Sequence, residues 1–199
     1  MIDLVPSINL AYFVHDVAND SHKVGGAYPN AGKTPGTDEY IANHVRLLTA
    51  ARANSLHVFF TGHFLRADYR DAVMFGNSPR YGALKDGTWG AQVIDDLAPL
   101  PNEWTIRKGG GMSAFTGTPL AQWLHRLGVN QLIVAGGATH AGVESTVRSA
   151  RDLDFRTVVV SDACRAGDEG HHEASLFNMS TFAQIGTTDE VIEAMNAGN

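Results

Sequence analysis

Apolar and β-branched residues form short runs along the chain, separated by longer segments in which apolar residues recur at helical spacing. A strand buried on both faces gives a near-continuous apolar run, and strands that alternate with helices indicate a parallel sheet covered by helices. The predicted strands are 8–16, 56–62, 104–109, 130–137, 156–163 and a short edge strand from Gln184. The predicted helices are 37–55, 118–128, 141–154, 171–183 and one from Thr188.

This order of elements predicts an α/β fold with three layers, α-β-α. The sheet is expected to be Rossmann-like and mostly parallel, with about six strands and helices on both faces, in a single domain over 1–199. Thr37 and Thr188 are the candidate N-caps of their helices, and Gly128 closes helix 118–128. A polar loop is predicted from Asn19 to about Pro35, and the irregular segment 63–86 is too long for a simple connector.

Composition narrows the class of protein without indicating a reaction. A net charge of −6 and a pI near 5.8 argue against a nucleic-acid or acidic-membrane binder, since phosphate recognition needs concentrated Lys and Arg. No apolar run approaches the roughly 20 residues that span a bilayer, and the first residues do not resemble a signal peptide. The single cysteine, Cys164, forms no internal disulfide, which favours a reducing, cytoplasmic location.

Polar residues at the predicted strand ends are the candidates for chemistry, because ligands of open parallel sheets bind beyond the carboxyl ends of the strands. Asp16 and Lys108 each follow such a strand and can form an acid–base pair, with Lys108 fixing the charge of Asp16. Each residue on its own is also compatible with a loop-capping or solvated role. The strand–glycine–helix junction at 134–146 can stabilise an oxyanion through backbone N–H groups, or can simply allow tight packing.

No cofactor or metal is expected. The turn after 134 lacks both the G-x-G-x-x-G fingerprint and the Gly-Lys-Ser/Thr of a phosphate loop. The histidines that a metal would need are dispersed: His63, His140, His171 and His172. Cys164 is interpreted as an inert residue at a strand end, since an active thiol needs a neighbouring base or cation.

The ordered set of segments resembles the isochorismatase-like hydrolase family, a branch of the cysteine hydrolases. The resemblance rests on "YFVHDVANDS", on "GTWGAQVIDDLAPLPNEWTIRKGGGMSAFTGTPLAQWL", on "LGVNQLIVAGGATHAGVESTVRSARDLDFRTVVVSDAC" and on "HHEASLFNMSTFAQIGTTDEV". It covers nearly the whole chain from Ile8. The resemblance places the family's catalytic triad on Asp16, Lys108 and the position of Gly142, and implies a cis peptide bond at Gly137–Ala138.

Gly142 departs from the pattern of the family's amidohydrolases, in which a cysteine at this position attacks a carbonyl. True isochorismatases resemble this chain in having glycine there, and they hydrolyse a vinyl ether without an acyl-enzyme. The leading hypothesis is therefore a hydrolase of a small polar or anionic metabolite, with Asp16 as general acid/base and with room for substrate or water beside Gly142. The alternatives are an amidohydrolase of the ureidoacrylate/biuret type that has lost its cysteine or been altered by engineering, and a non-catalytic binding protein.

The expected substrate-binding residues come from the glycine turn, from the irregular segment and from the family's middle segment. They are Gly137, Ala138, Thr139, His140, Arg66, Arg70 and Trp89. Arg66 and Arg70, with Arg80, are candidates for gripping a carboxylate, although each is equally compatible with a solvated surface position. The expected partner is a small-molecule substrate. The resemblance also implies a homodimer or homotetramer.

Overall fold

A computed structural model describes residues 1–72 and 77–197. All predicted strands occur in this part of the chain and form one parallel six-stranded sheet in the order β3-β2-β1-β4-β5-β6. The strands are β1 (Leu10–His15), β2 (His57–His63), β3 (Trp104–Lys108), β4 (Gln131–Gly137), β5 (Arg156–Arg165) and β6 (Gln184–Gly186). The predicted parallel sheet is confirmed, including the short strand at one edge.

Helices connect the strands, as the pattern predicts. They are α1 (Asn19–His22), α2 (Thr37–Ala53), α3 (Asn77–Tyr81), α4 (Leu120–Arg126), α5 (Glu144–Asp152), α6 (Glu169–Met179) and α7 (Thr188–Ala197). The two short helices, α1 and α3, lie in segments for which the sequence predicts irregular structure. Of the irregular segment 63–86, residues 73–76 lie outside the described residues.

The apolar residues of the sheet divide between two cores, one on each face. On one face, residues such as Tyr12 and Phe60 pack against α2 and α7. On the other face, residues such as Phe13 and Phe59 pack against α4, α5 and α6. Successive side chains of a strand point to opposite faces, so each central strand contributes to both cores. The three-layer prediction is therefore confirmed.

Two predicted N-caps are displaced by one residue. Thr37 is the first helical residue of α2, and its N-cap is Gly36, whose φ of 77° suits glycine. Thr188 likewise lies inside α7, and the capping side chain belongs to Thr187. Thr187 Oγ1 accepts the N–H of Glu190, and Glu190 Oε2 accepts the N–H of Thr187 in return. A reciprocal pair of this kind is a capping box, for which the three-residue spacing is diagnostic.

The strand order reverses between β1 and β4, the two central strands of the sheet. From β1 the chain winds outward through β2 to β3, and after β4 it winds the other way through β5 to β6. The crossover helices diverge at this point and leave a crevice beyond the carboxyl ends of the two strands. The residues that follow β1 and β4 therefore face a common space.

Candidate active site

Asp16 directly follows β1 and faces that space. Its N–H donates to Thr61 O at 3.1 Å, which ties the turn to β2. Its φ of 55° lies in the left-handed region, which Asp tolerates better than most residues. The side chain is 13% exposed, and Oδ1 accepts a hydrogen bond from Thr61 Oγ1 at 3.1 Å. Oδ2 is left to contact the charged groups of the site.

Lys108, the last residue of β3, supplies the nearest of these groups. Its Nζ lies 2.7 Å from Asp16 Oδ2, and its side chain is fully buried. The same ammonium donates to Met112 O at 2.6 Å and to Gly111 O at 3.3 Å, so the partners of its three hydrogens are accounted for. The predicted pairing of Asp16 and Lys108 is confirmed as a contact. The two strands are not neighbours, however, because β2 lies between them and the long lysine side chain spans the gap.

Two histidines complete the surroundings of Asp16 Oδ2. His63 Nε2 lies 3.3 Å away and His15 Nδ1 lies 3.5 Å away. His63 Nδ1 is 2.5 Å from Gly109 O, and because a carbonyl only accepts, this nitrogen carries a hydrogen. His63 Nε2 is therefore the ring nitrogen that faces Asp16 Oδ2.

These contacts set the charge of the site. Burial of the Asp16 carboxyl tends to raise its pKa, but His15, Lys108 and His63 together hold that pKa well below its usual value. Burial lowers the pKa of His15 to about 4, even though the adjacent Asp16 opposes this change. His15 is therefore neutral at pH 7, and Lys108 is the cation that keeps Asp16 ionised. These contacts favour the ionised form of Asp16, which is the form that can accept a proton.

The glycine turn after β4 forms the facing wall. The peptide bond Gly137–Ala138 is cis, as the resemblance implies. A single π-helical turn, Thr139–Val143, then leads into α5. Gly137, Ala138 and Gly142 line the cavity beside Asp16, which agrees with the prediction.

Thr139 and His140 do not line the cavity, contrary to the prediction. Thr139 is fully buried, and its Oγ1 lies 2.9 Å from His172 Nδ1, so it ties the turn to α6. His140 is exposed and packs against the ring of His171 at a centroid distance of 4.8 Å. A π-helical turn displaces its side chains relative to an α-helix, so the direction of these two could not be read from helical spacing.

The cavity measures about 580 Å³, a size that suits a small metabolite. Its charged wall residues include Arg165, the last residue of β5. The guanidinium of Arg165 donates to Thr37 Oγ1 at 2.7 Å and lies 5.0 Å from the centre of the Tyr40 ring. Burial lowers the pKa of Arg165, and within the described residues no carboxylate pairs with it. A half-buried cation without a counter-ion is a suitable partner for an anionic group of a ligand.

The arginines predicted to grip a carboxylate lie elsewhere. Arg66 and Arg70 are exposed, and both pair with Asp68. Arg80 is exposed and lies over the ring of Tyr81 at 5.4 Å. None of the three lines the cavity. These predictions are wrong for the described chain, because local acidic and aromatic neighbours hold the side chains at the surface.

Trp89 is also outside the cavity. Its side chain is 47% exposed, and its backbone oxygen accepts a hydrogen bond from Asn19 Nδ2 at 2.9 Å. The contribution of this segment to the site is indirect. Gly90 lies against the buried carboxylate of Asp20, which in turn accepts the N–H groups of Ala27 and Leu84 and so holds two walls of the cavity together.

The expected room beside Gly142 is occupied. The buried imidazole of His15 fills the place where a side chain at 142 would begin, so neither substrate nor water enters there. Gly142 still lines the cavity on its other side. The notion that glycine leaves a vacancy is therefore wrong for this site.

Cys164 is not a replacement nucleophile. It is buried, its Sγ lies 3.9 Å from Val134 O, and burial raises its pKa to about 12. Among residues 1–72 and 77–197, no cluster of three or more His, Cys, Asp or Glu side chains is arranged to hold a metal ion. In the same part of the chain, no helix has the length and apolar character needed to span a membrane.

Sequence reasoning placed His15 and His63 at strand ends but gave neither a role beside Asp16, and it did not single out Arg165. A signal for each was present, because His15 and His63 lie at the ends of predicted strands and Arg165 lies two residues beyond predicted strand 156–163. The strand-end rule that selected Asp16 and Lys108 applies equally to them. Their roles depend on which strands are neighbours, and the apolar pattern does not contain that information.

Comparisons with known proteins agree with this architecture. The family model described as the isochorismatase domain matches residues 11–190. A cysteine hydrolase from Pseudomonas syringae pv. phaseolicola 1448A has a TM-score of 0.88 at 24% identity, covering 98% of this chain and 96% of that chain. An isochorismatase family protein from Desulfovibrio vulgaris subsp. vulgaris str. Hildenborough has a TM-score of 0.85 at 28% identity, with 94% and 98% covered. N-carbamoylsarcosine amidase from Thermoplasma acidophilum has a TM-score of 0.75 at 21% identity, with 91% and 97% covered.

Proposed function

We propose, from the premise that this chain belongs to the isochorismatase family, that it is a hydrolase of a small substrate bearing a carboxylate, and that it works without a covalent enzyme intermediate. Asp16 is the general base in this proposal, Lys108 is its electrostatic partner, and Arg165 binds the substrate carboxylate. The observation that carries the proposal is the ionised Asp16 carboxylate, which faces the cavity with Lys108 Nζ at 2.7 Å.

The reaction follows from the charge of Asp16. The carboxylate removes a proton from a water molecule as the water oxygen bonds to the electrophilic carbon of the substrate. The bond to the leaving nitrogen or oxygen then breaks, and the leaving group takes the proton back from the Asp16 carboxyl. A base of this kind contributes roughly 10²- to 10⁴-fold to the rate. The ion pair with Lys108 supports this water-mediated route over protonation of a vinyl ether, because it favours the ionised carboxyl and the vinyl-ether route requires a protonated one.

The nature of the substrate is inferred from the residues that line the cavity. The Asp16 carboxylate and the glycine turn face the bond that is cleaved. Arg165 offers a guanidinium, which pairs with a carboxylate in a bidentate manner. Apolar residues such as Leu65 and Leu84 also line the cavity. This combination fits a compact monoanion with an amide, ureido or ester group.

The test is hydrolysis of a panel of carboxylates by purified wild-type protein and two pairs of variants. The panel contains N-carbamoyl amino acids, ureidoacrylate, carboxylate esters and, as the vinyl-ether arm, isochorismate. Asp16→Asn is expected to lower kcat/KM by about 10²-fold or more, while the exposed Asp86→Asn leaves it unchanged. Arg165→Gln is expected to raise KM about 10- to 100-fold, while Arg156→Gln, at the opposite end of the same strand, has no effect.

The outcomes separate the alternatives. Equal turnover by wild type and Asp16→Asn would contradict the proposal. Turnover of isochorismate alone would favour the vinyl-ether route. Saturable binding of a panel member without turnover would indicate a binding protein that retains the cavity.

A further inference from the structure

His15, the last residue of β1, lies directly beneath Gly142. A Cβ built on Gly142 would lie 2.6 Å from His15 Cε1, 3.2 Å from His15 Nδ1 and 3.5 Å from Asp16 Oδ2. Carbon atoms that are not bonded make good contacts at about 3.5 to 4.0 Å. The first contact is therefore far too short, and any side chain at 142 requires the imidazole to move.

The imidazole is held in place on its far side. His15 Nε2 lies 2.9 Å from Thr146 Oγ1, and that oxygen also accepts the N–H of Ala114 at 2.9 Å. His15 is fully buried, so the ring is closely packed and cannot rotate out into solvent. Gly142 itself has no left-handed φ, so its backbone conformation does not require glycine. His15 is what excludes a side chain at this position.

The tautomer of His15 follows from the same contacts. Thr146 Oγ1 already accepts the hydrogen of Ala114 N, which leaves its own hydrogen available to His15 Nε2. His15 Nδ1 then carries the ring hydrogen and directs it towards Asp16 Oδ2, 3.5 Å away. Among residues 1–72 and 77–197 this nitrogen has no hydrogen-bond partner, although it is completely buried. The opposite tautomer would direct a lone pair at the carboxylate, which is unfavourable.

We propose that His15 is a positioning residue for Asp16 and that His15 and Gly142 form an exclusive pair, in which the ring occupies the position that a side chain at 142 would take. The ring lies 3.5 Å from Oδ2, the oxygen that Lys108 Nζ also contacts, and so limits its movement. The carboxylate is thereby kept on the cavity side, where it meets water rather than a protein nucleophile. The positioning role rests on the proposed function, whereas the exclusion of a side chain at 142 does not.

Exclusion is tested by a double-mutant cycle on unfolding in urea. Gly142→Ala is expected to raise the unfolding equilibrium constant at least about 30-fold in the wild-type background, because the new methyl group meets the ring. In a His15→Ala background the same change is expected to raise it less than about threefold. Gly167→Ala is the matched control, since a Cβ there would meet nothing within 4 Å. If His15→Ala does not fold, His15→Asn supplies a shorter side chain in its place.

A thiol at 142 gives a second readout that needs no substrate. Cys164 is buried, so iodoacetamide reports on an introduced cysteine alone. His15→Ala/Gly142→Cys is expected to react at least tenfold faster per folded molecule than Gly142→Cys, in which the ring blocks the reactive conformation. Ala141→Cys, on the same turn and also lining the cavity, is expected to react equally with and without His15. The exclusive pair would be overturned if Gly142→Ala changed the unfolding equilibrium constant equally in both backgrounds. It would also be overturned if the Gly142→Cys thiol reacted with iodoacetamide at the same rate with and without His15.

The positioning role is tested by kinetics once a substrate from the panel is turned over. His15→Ala is expected to lower kcat at least tenfold with little change in KM. His15→Asn, whose amide can direct an N–H towards Asp16, is expected to recover part of the loss. Unchanged kcat in His15→Ala would refute the positioning role. Loss of turnover in Asp16→Asn together with normal turnover in His15→Ala would leave the proposed function intact.

Discussion

At the scale of single residues, one carboxylate oxygen makes most of the contacts with the ionisable groups of the site. Asp16 Oδ2 contacts Lys108, His63 and His15, and Oδ1 accepts a hydrogen bond from the hydroxyl of Thr61. Lys108 Nζ makes the shortest of the contacts with Oδ2, at 2.7 Å, and its side chain is fully buried. Asp16 is thus kept ionised by a cation that substrate does not need to contact.

Removing that cation should make the base titrate within the working range of pH. In Lys108→Met the pKa of Asp16 is expected to rise, because burial continues to oppose its charge and an opposite charge at this distance is worth about one to three pH units. The base is lost as pH falls, so an acid limb should enter the profile of kcat/KM, measured per folded molecule, between pH 4 and 7. Wild type and the exposed control Lys33→Met should lack this limb. Identical profiles for Lys108→Met and wild type would refute the assignment.

The sequence could identify Asp16, Lys108 and the glycine turn because strand ends are visible as the termini of apolar runs. It could not single out Arg165, which we propose as the residue that binds the substrate carboxylate. That proposal depends on the lack of a nearby carboxylate among the described residues, which is a property of neighbours far apart in the chain. Composition alone points to Arg66 and Arg70, and Asp68, two residues from each, neutralises both at the surface.

At the scale of the elements, caps and turns account for most differences between expectation and structure. The helices and strands that have strong apolar periodicity occur close to their predicted bounds. The N-cap of α7 was harder to predict, because two adjacent threonines, Thr187 and Thr188, stand at the start of the helix and either could cap it. The reciprocal bonds of Thr187 and Glu190 decide the choice. The second threonine, Thr188, is bound by Asp162 instead. Asp162 Oδ1 accepts hydrogen bonds from both the N–H and the hydroxyl of Thr188.

This capping box can be tested on its own. Thr187→Ala is expected to lower the free energy of unfolding by about 1 kcal/mol, because the N–H of Glu190 loses its acceptor at the helix start. Urea unfolding measures the change. Thr49→Ala, on the exposed face of α2, is the matched control. It should lower the free energy of unfolding by less, since alanine is the better helix former there. Since α7 lies away from the cavity, turnover per folded molecule should stay the same in both variants, and a loss confined to Thr187→Ala would contradict this separation.

At the scale of the whole molecule, the site exists because the winding of the sheet reverses between β1 and β4. The apolar pattern predicted a parallel sheet covered on both faces, and the structure confirms it. The order of the strands could not be obtained from that pattern, since every buried strand gives a similar apolar run. The contact of Lys108 with Asp16 across β2 is therefore a property of the fold rather than of any one segment.

Three buried histidines should make the fold sensitive to mild acid. Burial lowers the pKa of His15 and His22 to about 4, and that of His44 to about 3, from an unfolded value of 6.5. Between pH 6.5 and 4 the unfolded chain binds protons that the folded chain excludes. The free energy of unfolding should therefore be largest above pH 6.5 and fall as pH decreases, by up to about 4 kcal/mol per pH unit for three protons.

Urea unfolding at pH 7.0, 6.0 and 5.0 measures this slope. His44→Gln should reduce it by about one proton, or about 1.4 kcal/mol per pH unit. The partly exposed His57→Gln should leave it unchanged. A free energy of unfolding that is constant from pH 7 to 5 would contradict the buried, neutral state of these rings.

The contact between His15 and Gly142 also has a consequence for descent. A cysteine that arises at 142 by a single substitution meets the imidazole, and loss of the imidazole alone opens a buried hole beside Asp16. We therefore expect each single change to destabilise the fold, and a cysteine at 142 to be accommodated only together with a smaller residue at 15.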